Sequence, residues 1–164
     1  MTYSATQSTP IGPFTTIVAA DDTVLASGWT DDVDALRVLI HPLLRPVEVV
    51  HRSELGAITR AVAEYHEGDL DAIDAIAVQQ HSGEFITHAW KVLRGVRHGE
   101  PVTYTQFAEL AGRPAATRAA AAACARNAAA LFVPCHRVLR IGGALGGFRW
   151  GLPTKRWLLD HEAP

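Results

Sequence analysis

Thr103-Tyr104-Thr105-Gln106-Phe107-Ala108-Glu109-Leu110-Ala111-Gly112-Arg113-Pro114 is the stretch that decides how the second half of this 164-residue chain folds. Thr103 stands three residues ahead of Gln106, a spacing at which hydroxyl and carboxamide each satisfy a backbone donor at a helix start. A short helix through Leu110 is expected, stopped by Gly112. Pro114 suits the first turn of a second helix, where a missing N–H leaves nothing unpaired. That helix is expected from Ala115 to about Ala125, largely alanine, with Arg118 and Arg126 projecting. Two short helices across a tight turn make a helix-turn-helix, whose second member lies on DNA. Other helical hairpins look alike in sequence, so charge must discriminate.

The net charge of -2 hides a strong division. Residues 1–80 carry twelve acidic and four basic side chains, whereas residues 81–164 carry five acidic and eleven basic. From Arg113 to Arg156 there are eight basic residues (Arg113, Arg118, Arg126, Arg137, Arg140, Arg149, Lys155, Arg156) and no Asp or Glu. A cation block of this kind is the footprint of a polyanion, although a charge cluster alone is more often a solvated face. Here it begins on the second helix. That helix offers no Asn, Gln or Arg cluster for reading base edges in the major groove. Its smooth surface, Ala119 to Ala123 beside the single long cation Arg118, instead permits close approach in the minor groove. Enzymes that flip a base out of the stack need that approach. A core-packed alanine helix is the plainer alternative.

The first half reads as α/β. Phe14 to Ala20 and Thr23 to Trp29 are β-prone runs around Asp21-Asp22, a hairpin signal. Ser53 is expected to cap a helix bearing Leu55, Ile58, Val62 and Tyr65 on one face, ending near Gly68. Gln79–Gly83 is the expected seam, after which Phe85, Ala89, Trp90 and Leu93 mark a face of the next helix. The apolar content of 48% and the absence of low-complexity tracts predict a folded protein. No apolar run reaches membrane length, and the N-terminus carries no export signal. Two cysteines eleven residues apart do not make a disulfide scaffold, so a cytoplasmic location is expected.

Pro134-Cys135-His136-Arg137-Val138 carries the chemistry. Cys135 follows the apolar run Leu131-Phe132-Val133 and adjoins a histidine and an arginine. A thiol in electropositive company can be held partly as thiolate, the form that attacks carbon. The chain from Tyr104 through Glu162 resembles the O6-alkylguanine-DNA alkyltransferases. The matches are Tyr104, Gly112-Arg113-Pro114, Arg118, Asn127, Pro134–Val138, Gly143, Gly146, Gly151, Lys155, Leu158-Leu159 and Glu162. Ser8–Phe14 is similar to that family's N-terminal strand entry, and Phe85–Leu93 to its inter-domain helix.

The resemblance implies an α/β fold: a ribonuclease-H-like N-terminal domain with an antiparallel sheet (1–80) and a mainly helical, winged helix-turn-helix-like domain (81–164). It implies repair of double-stranded DNA containing O6-alkylguanine by a monomer that uses no cofactor and no metal. Cys135 would accept the alkyl group once and irreversibly. His136, relayed through a water to Glu162, would draw off the thiol proton. Asn127 would brace the turn between recognition helix and active-site strand. Tyr104 would donate to guanine N3 and crowd the backbone phosphate. Arg118 would fill the gap in the stack, with Thr117, Ala119 and Arg126 also on DNA. The backbone N–H of Arg149 would hold O6, the carbonyls of Cys135 and Val138 would receive the exocyclic amine, and Phe148, Trp150 and Cys124 would complete the pocket.

Phe148 stands where many members of that family have tyrosine, and Trp150 adds bulk, so methyl is expected to be preferred over benzyl. Ala128 and Ala130 replace prolines, and Ala121 and Ala122 replace glycines. The eight histidines have no zinc spacing, and Gly142–Gly147 lacks the ending of a phosphate loop. Two rivals remain. A damage-sensing DNA-binding protein would lack the nucleophile, and a thiol hydrolase would need an oxyanion hole that no motif supplies.

Overall fold

The computed structural model describes residues 1–164. They divide into two compact units, Met1–His81 together with Ala128–Phe132, and Ser82–Asn127 together with Val133–Pro164.

The first unit is built on a four-stranded sheet of order β3-β2-β1-β4. Strands β1 (Tyr3–Thr9) and β2 (Gly12–Val18) form a hairpin, and β2 pairs antiparallel with β3 (Val24–Gly28). The β2–β3 turn is the one expected at Asp21-Asp22: Asp22 adopts φ 63 and Asp21 Oδ1 accepts the Thr23 N–H at 3.2 Å. β3 is shorter than its β-prone run, and β2 begins and ends two residues before its own. The short β4 (Val50–His51) adds a parallel edge beside β1. The far edge, β3, receives two bridging segments, at Val78 and at Ala129. Ser27 holds the second of these, its N–H donating to Ala128 O and its hydroxyl to Ala130 O at 2.6 Å.

Two helices complete this unit. Helix α1 (Val33–Arg37) is capped by Asp32, whose carboxylate accepts the Ala35 N–H at 3.1 Å. Helix α2 (Ala57–Glu67) buries Ile58, Val62 and Tyr65, and Gly68 ends it at φ 120. Ser53 does not cap it: the N-cap is Gly56, whose N–H donates to Glu54 Oε2 at 2.6 Å. The chain between them makes a separate turn in which Thr59 Oγ1 accepts the Leu55 N–H. Phe14 meets Trp29 edge-on at 5.0 Å in the core. There His66 is locked between Val62 O (2.7 Å) and the Trp29 indole N–H (3.3 Å).

The second unit is mainly helical. Helix α3 (Glu84–Arg94) buries Ile86, Ala89, Trp90 and Leu93. Phe85, expected on that face, is only partly covered and lies under the Arg113 guanidinium. The apolar stripe is thus one position out of phase at its first turn. Helix α4 (Tyr104–Leu110) has the expected capping box, Thr103 Oγ1 accepting the Gln106 N–H at 3.1 Å and Gln106 Oε1 accepting the Thr103 N–H at 2.8 Å. Gly112, at φ 90, turns the chain after it. Helix α5 (Thr117–Ala125) starts later than expected. Pro114 lies in a turn closed by the Ala116 N–H on Arg113 O, and the helix is capped by Ala116. α5 packs on α3 and α4, and the Trp90 indole N–H donates to Ala123 O at 2.8 Å.

After a single 3-10 turn (Cys135–Arg137), β6 (Val138–Leu139) pairs parallel with β5 (Val102–Thr103). This short ribbon fixes Cys135 relative to the start of α4. Helix α6 (Leu152–Glu162), with Pro153 in its first turn, closes the unit. No helix is long and apolar enough to cross a membrane.

Candidate functional site

Cys135 heads the 3-10 turn, with 9% of its surface exposed. Its geometry begins one helix earlier. Where α5 ends, Asn127 is buried, its amide donating to Val133 O at 2.7 Å and its side chain hydrogen-bonding the Cys135 sulfur. A carboxamide can serve both ends of a sharp turn at once, and this one ties the segment before the cysteine to the cysteine itself. Burial pushes the Cys135 thiol up, and Asn127, Lys155 and Arg149 only partly offset it. The resting group is therefore a thiol. The partly ionised sulfur expected from its cationic neighbours is overridden by desolvation.

Behind the sulfur sits a buried polar cluster. His136 Nε2 lies 2.8 Å from Glu162 Oε2, with both residues almost wholly enclosed. The contact is direct, so no water separates the two as the sequence reading had it. Arg137 completes the cluster. Its Nε donates to Glu162 Oε1 and its Nη2 to Oε2, each at 2.9 Å, and its Nη1 to Val96 O at 2.8 Å. Burial alone would raise the Glu162 carboxyl, but His136 and Arg137 outweigh it and hold it well below the usual carboxylate range. A carboxylate only accepts, so the network assigns the imidazole proton to Nε2. His136 Nδ1 is then a bare lone pair, and no protein group bonds it. Burial lowers the His136 pKa despite Glu162, which keeps the ring neutral. A neutral imidazole with a free Nδ1, oriented by a carboxylate, is a general base in waiting.

A second buried cation lies nearby. Lys155 has 0% exposure, and its ammonium donates to Val138 O at 2.9 Å, to Leu145 O and, more distantly, to Gly147 O. These bonds hold the loop 140–147 over β6. Desolvation lowers the Lys155 pKa, while the sulfurs of Cys135 and Cys124 raise it again.

An open cavity of about 730 Å³ is lined by Tyr104, Thr117, Arg118, Ala121, Arg140, Ala144, Leu145, Gly146, Gly147 and Leu152, and Cys135 is not part of its lining. Tyr104 is half-buried, and desolvation followed by the field of the two cysteines pushes it up to about 12, so the phenol stays a donor. Gly146, at φ +70, is where the loop touches it: a Cβ there would stand 3.2 Å from the Tyr104 hydroxyl.

The structure thus brings Cys135, His136, Glu162 and Asn127 together, and places Tyr104, Thr117 and Arg118 along one cavity wall. Ala119 and Arg126 lie on or just after α5 but do not line the cavity. Val138, Phe148, Arg149, Trp150 and Cys124, expected in the pocket, do not line it either. Residues 144–147 take that place, because Lys155 draws their carbonyls inward. Val138 O already receives the Lys155 ammonium and Cys135 O the Val138 N–H, leaving each carbonyl one lone pair. Sequence reasoning gave Arg137 only a share in the charge around Cys135, and Lys155 only a place in the cation block. In a run of eight cations nothing marks which two turn inward, and the block is accordingly smaller as a surface than as a count.

Comparison with known proteins is consistent with this geometry. Residues 84–164 match the family model for the 6-O-methylguanine DNA methyltransferase DNA binding domain. The chain is 33% identical to the methylated-DNA–protein-cysteine methyltransferase of Shigella flexneri over 157 residues, covering 94% of this chain and 92% of that one. It is 48% identical over 79 residues to the bifunctional transcriptional activator/DNA repair enzyme Ada of Escherichia coli, which spans 48% of this chain but only 22% of Ada. Among solved structures, the O6-methylguanine methyltransferase of Mycobacterium tuberculosis superposes with a TM-score of 0.80 at 26% identity, covering 100% of this chain and 96% of that one.

Proposed function

We propose that this chain, which belongs to the methylated-DNA–protein-cysteine methyltransferase family, repairs DNA directly by moving an alkyl group from guanine O6 to the Cys135 sulfur. The observation that carries this reading is the enclosed Arg137–Glu162–His136 chain built into the same 3-10 turn that Cys135 heads. A buried thiol needs a base, and His136 Nδ1 is the unclaimed acceptor. The thiol proton passes to Nδ1, directly or across one water, while Glu162 stabilises the imidazolium that forms. The thiolate attacks the alkyl carbon in line, a C–S bond forms, and the C–O6 bond breaks.

The Tyr104 hydroxyl, which its raised pKa keeps protonated, donates a hydrogen bond to guanine N3 and lessens the negative charge on the departing base. Asn127 holds the sulfur in register. Arg118, exposed at the first turn of α5, enters the stack behind the flipped base, with Thr117 and Ala119 close to the backbone and Arg126 on the flanking phosphates. The backbone N–H of Arg149 faces O6, and the free lone pairs at Cys135 O and Val138 O receive the exocyclic amine. Phe148 and Trp150 follow the lining residue Gly147 in the loop, and their bulk beside it favours methyl, while Cys124 stands one turn along α5 from the lining residue Ala121. A thioether does not revert, so each molecule acts once.

The first unit carries none of these groups, and its role is support. Both cysteines are free thiols, which suits a reducing cytoplasm, and a monomer suffices because every group named lies on one chain. Intact mass spectrometry after mixing with an O6-methylguanine duplex tests the reading. One methyl gained, mapped to Cys135, supports it. Retained binding without a mass change would make the protein a damage sensor instead, and turnover of an ester would make it a hydrolase.

A further inference from the structure

We propose that Arg149 is a positioning residue for alkyl transfer, its side chain clamping the pocket loop to the end of α5 and, through Asn127, setting the place of the Cys135 sulfur. The inference rests on the reading of Cys135 as alkyl acceptor and adds a residue to that site.

The guanidinium forks onto two backbone carbonyls: Nη1 donates to Asn127 O at 2.9 Å and Nη2 to Ala125 O. Ala125 is the last residue of α5, so its carbonyl has no later helical turn to supply an N–H. No glycine follows to close the helix with a left-handed turn. Arg126 is the C-cap in right-handed geometry, and its N–H turns back to Ala122 O and Cys124 O. The carbonyls left over are those that Arg149 takes, and a cation at a helix C-terminus is favoured by the helix dipole.

Asn127 is the hinge of the clamp. Arg149 holds its backbone from outside, while its side chain spans Val133 O and the sulfur. A shift of the Asn127 carbonyl therefore moves the group that locates the nucleophile. The same fork ties residues 147–150 to α5, the helix whose other end carries Thr117 and Arg118 on the cavity wall. The two halves of the cavity are thereby held to one helix. Burial lowers the Arg149 pKa, and the field of the Cys135 sulfur raises it again. A planar fork on two carbonyls is a task lysine cannot reproduce, since its ammonium is a single point of charge.

Two variants separate fork from charge. Arg149→Met keeps much of the stem and loses both donors and the charge, whereas Arg149→Lys keeps the charge and loses the fork. Single-turnover methyl transfer is followed over a range of O6-methylguanine duplex concentrations. Without DNA, the pH dependence of Cys135 alkylation by iodoacetamide is read by peptide mass. Arg149→Met is expected to lower the maximal transfer rate by about 10- to 100-fold, leave the half-saturating DNA concentration unchanged and move the iodoacetamide midpoint to higher pH. Arg149→Lys should keep the wild-type midpoint and recover only part of the rate.

Wild-type rate and midpoint in Arg149→Met would overturn the inference, as would weaker DNA binding with an unchanged maximal rate, which marks a docking residue. Residue 149 is exposed, so both variants should fold, and thermal melts confirm it. A wild-type protein that gains no methyl would refute the alkyl-acceptor reading itself, while the iodoacetamide profiles would still report whether Arg149 acts on the sulfur.

Discussion

Replacing Glu162 with glutamine should damage stability and chemistry together, and the structure says by how much. The carboxylate accepts three donors on two oxygens: the His136 Nε2–H, the Arg137 Nε–H and an Arg137 Nη2–H. An amide keeps one accepting oxygen and turns an NH₂ group toward donors where the other oxygen stood. The Arg137 guanidinium, 4% exposed, would lose its counter-charge. Breaking a buried pair from one side costs about 3–5 kcal/mol, because the other charge stays buried and uncompensated. Transfer should slow as well, by on the order of 10²-fold, since a base without its orienting carboxylate holds its new proton less well.

Urea unfolding gives the first quantity and single-turnover methyl transfer the second. His136 and Arg137 hold the Glu162 carboxyl below its ordinary value of 4.5. Its contribution is therefore complete above that pH and lost as the solution is acidified below it. Glu162→Gln should lack this acid limb. The double variant Arg137→Met/Glu162→Leu removes both charges, and should regain much of the stability while remaining slow. An unchanged unfolding midpoint together with an unchanged rate in Glu162→Gln would refute both the Arg137–Glu162 pair and the orientation of His136 by Glu162.

Other outcomes are open to simple assays. Gly146→Ala places a Cβ 3.2 Å from the Tyr104 hydroxyl in a left-handed backbone, and should slow transfer roughly 10- to 100-fold without unfolding the protein, as circular dichroism would confirm. The pH–rate profile should hold through 6.5, the ordinary histidine value, and fall only in more acid solution, because burial keeps His136 neutral there; an inflection at or above 6.5 contradicts that. Arg126→Ala should weaken duplex binding and lower the salt dependence of affinity by about one phosphate contact. Trp150→Gly should raise the rate of inactivation by O6-benzylguanine relative to methyl transfer, and equal ratios in variant and wild type would remove Trp150 from the alkyl pocket.

How much of this was legible in the sequence depends on the kind of signal. Thr103 and Gln106 announce α4 because a capping box is a local device, and Gly112 ends it for a local reason. The stripe Ile58, Val62, Tyr65 finds α2 because burial follows helical period there. Local rules fail where distant partners decide. β1, Tyr-Ser-Ala-Thr-Gln-Ser-Thr, has no apolar alternation, since much of it is paired rather than packed. Nothing in Ala128–Phe132 announces a partner, yet Ser27 draws it onto a sheet edge.

Helix α6 could have been found from Pro153 at its start, but its weak apolar pattern hides it, because it buries a lysine and a glutamate along with Leu158. At the site, Cys135 and His136 stand out by adjacency. Glu162, Asn127 and Tyr104 came only from resemblance to a family, because no spacing rule links residues so far apart along the chain. The inward turn of Arg137 and Lys155 needs coordinates, since a cation's burial is set by carbonyls and carboxylates folded around it.

The excursion of residues 128–132 into the first unit has a practical corollary. Anyone who trims this polypeptide to begin at Ser82, hoping for a minimal alkyl acceptor, would strand five enclosed apolar side chains without the sheet edge that receives them. Such a fragment should clump rather than stay dispersed, and the stranded stretch ends three residues before the nucleophile. Miniaturising the molecule therefore calls for redesign of that strand, not for a cut.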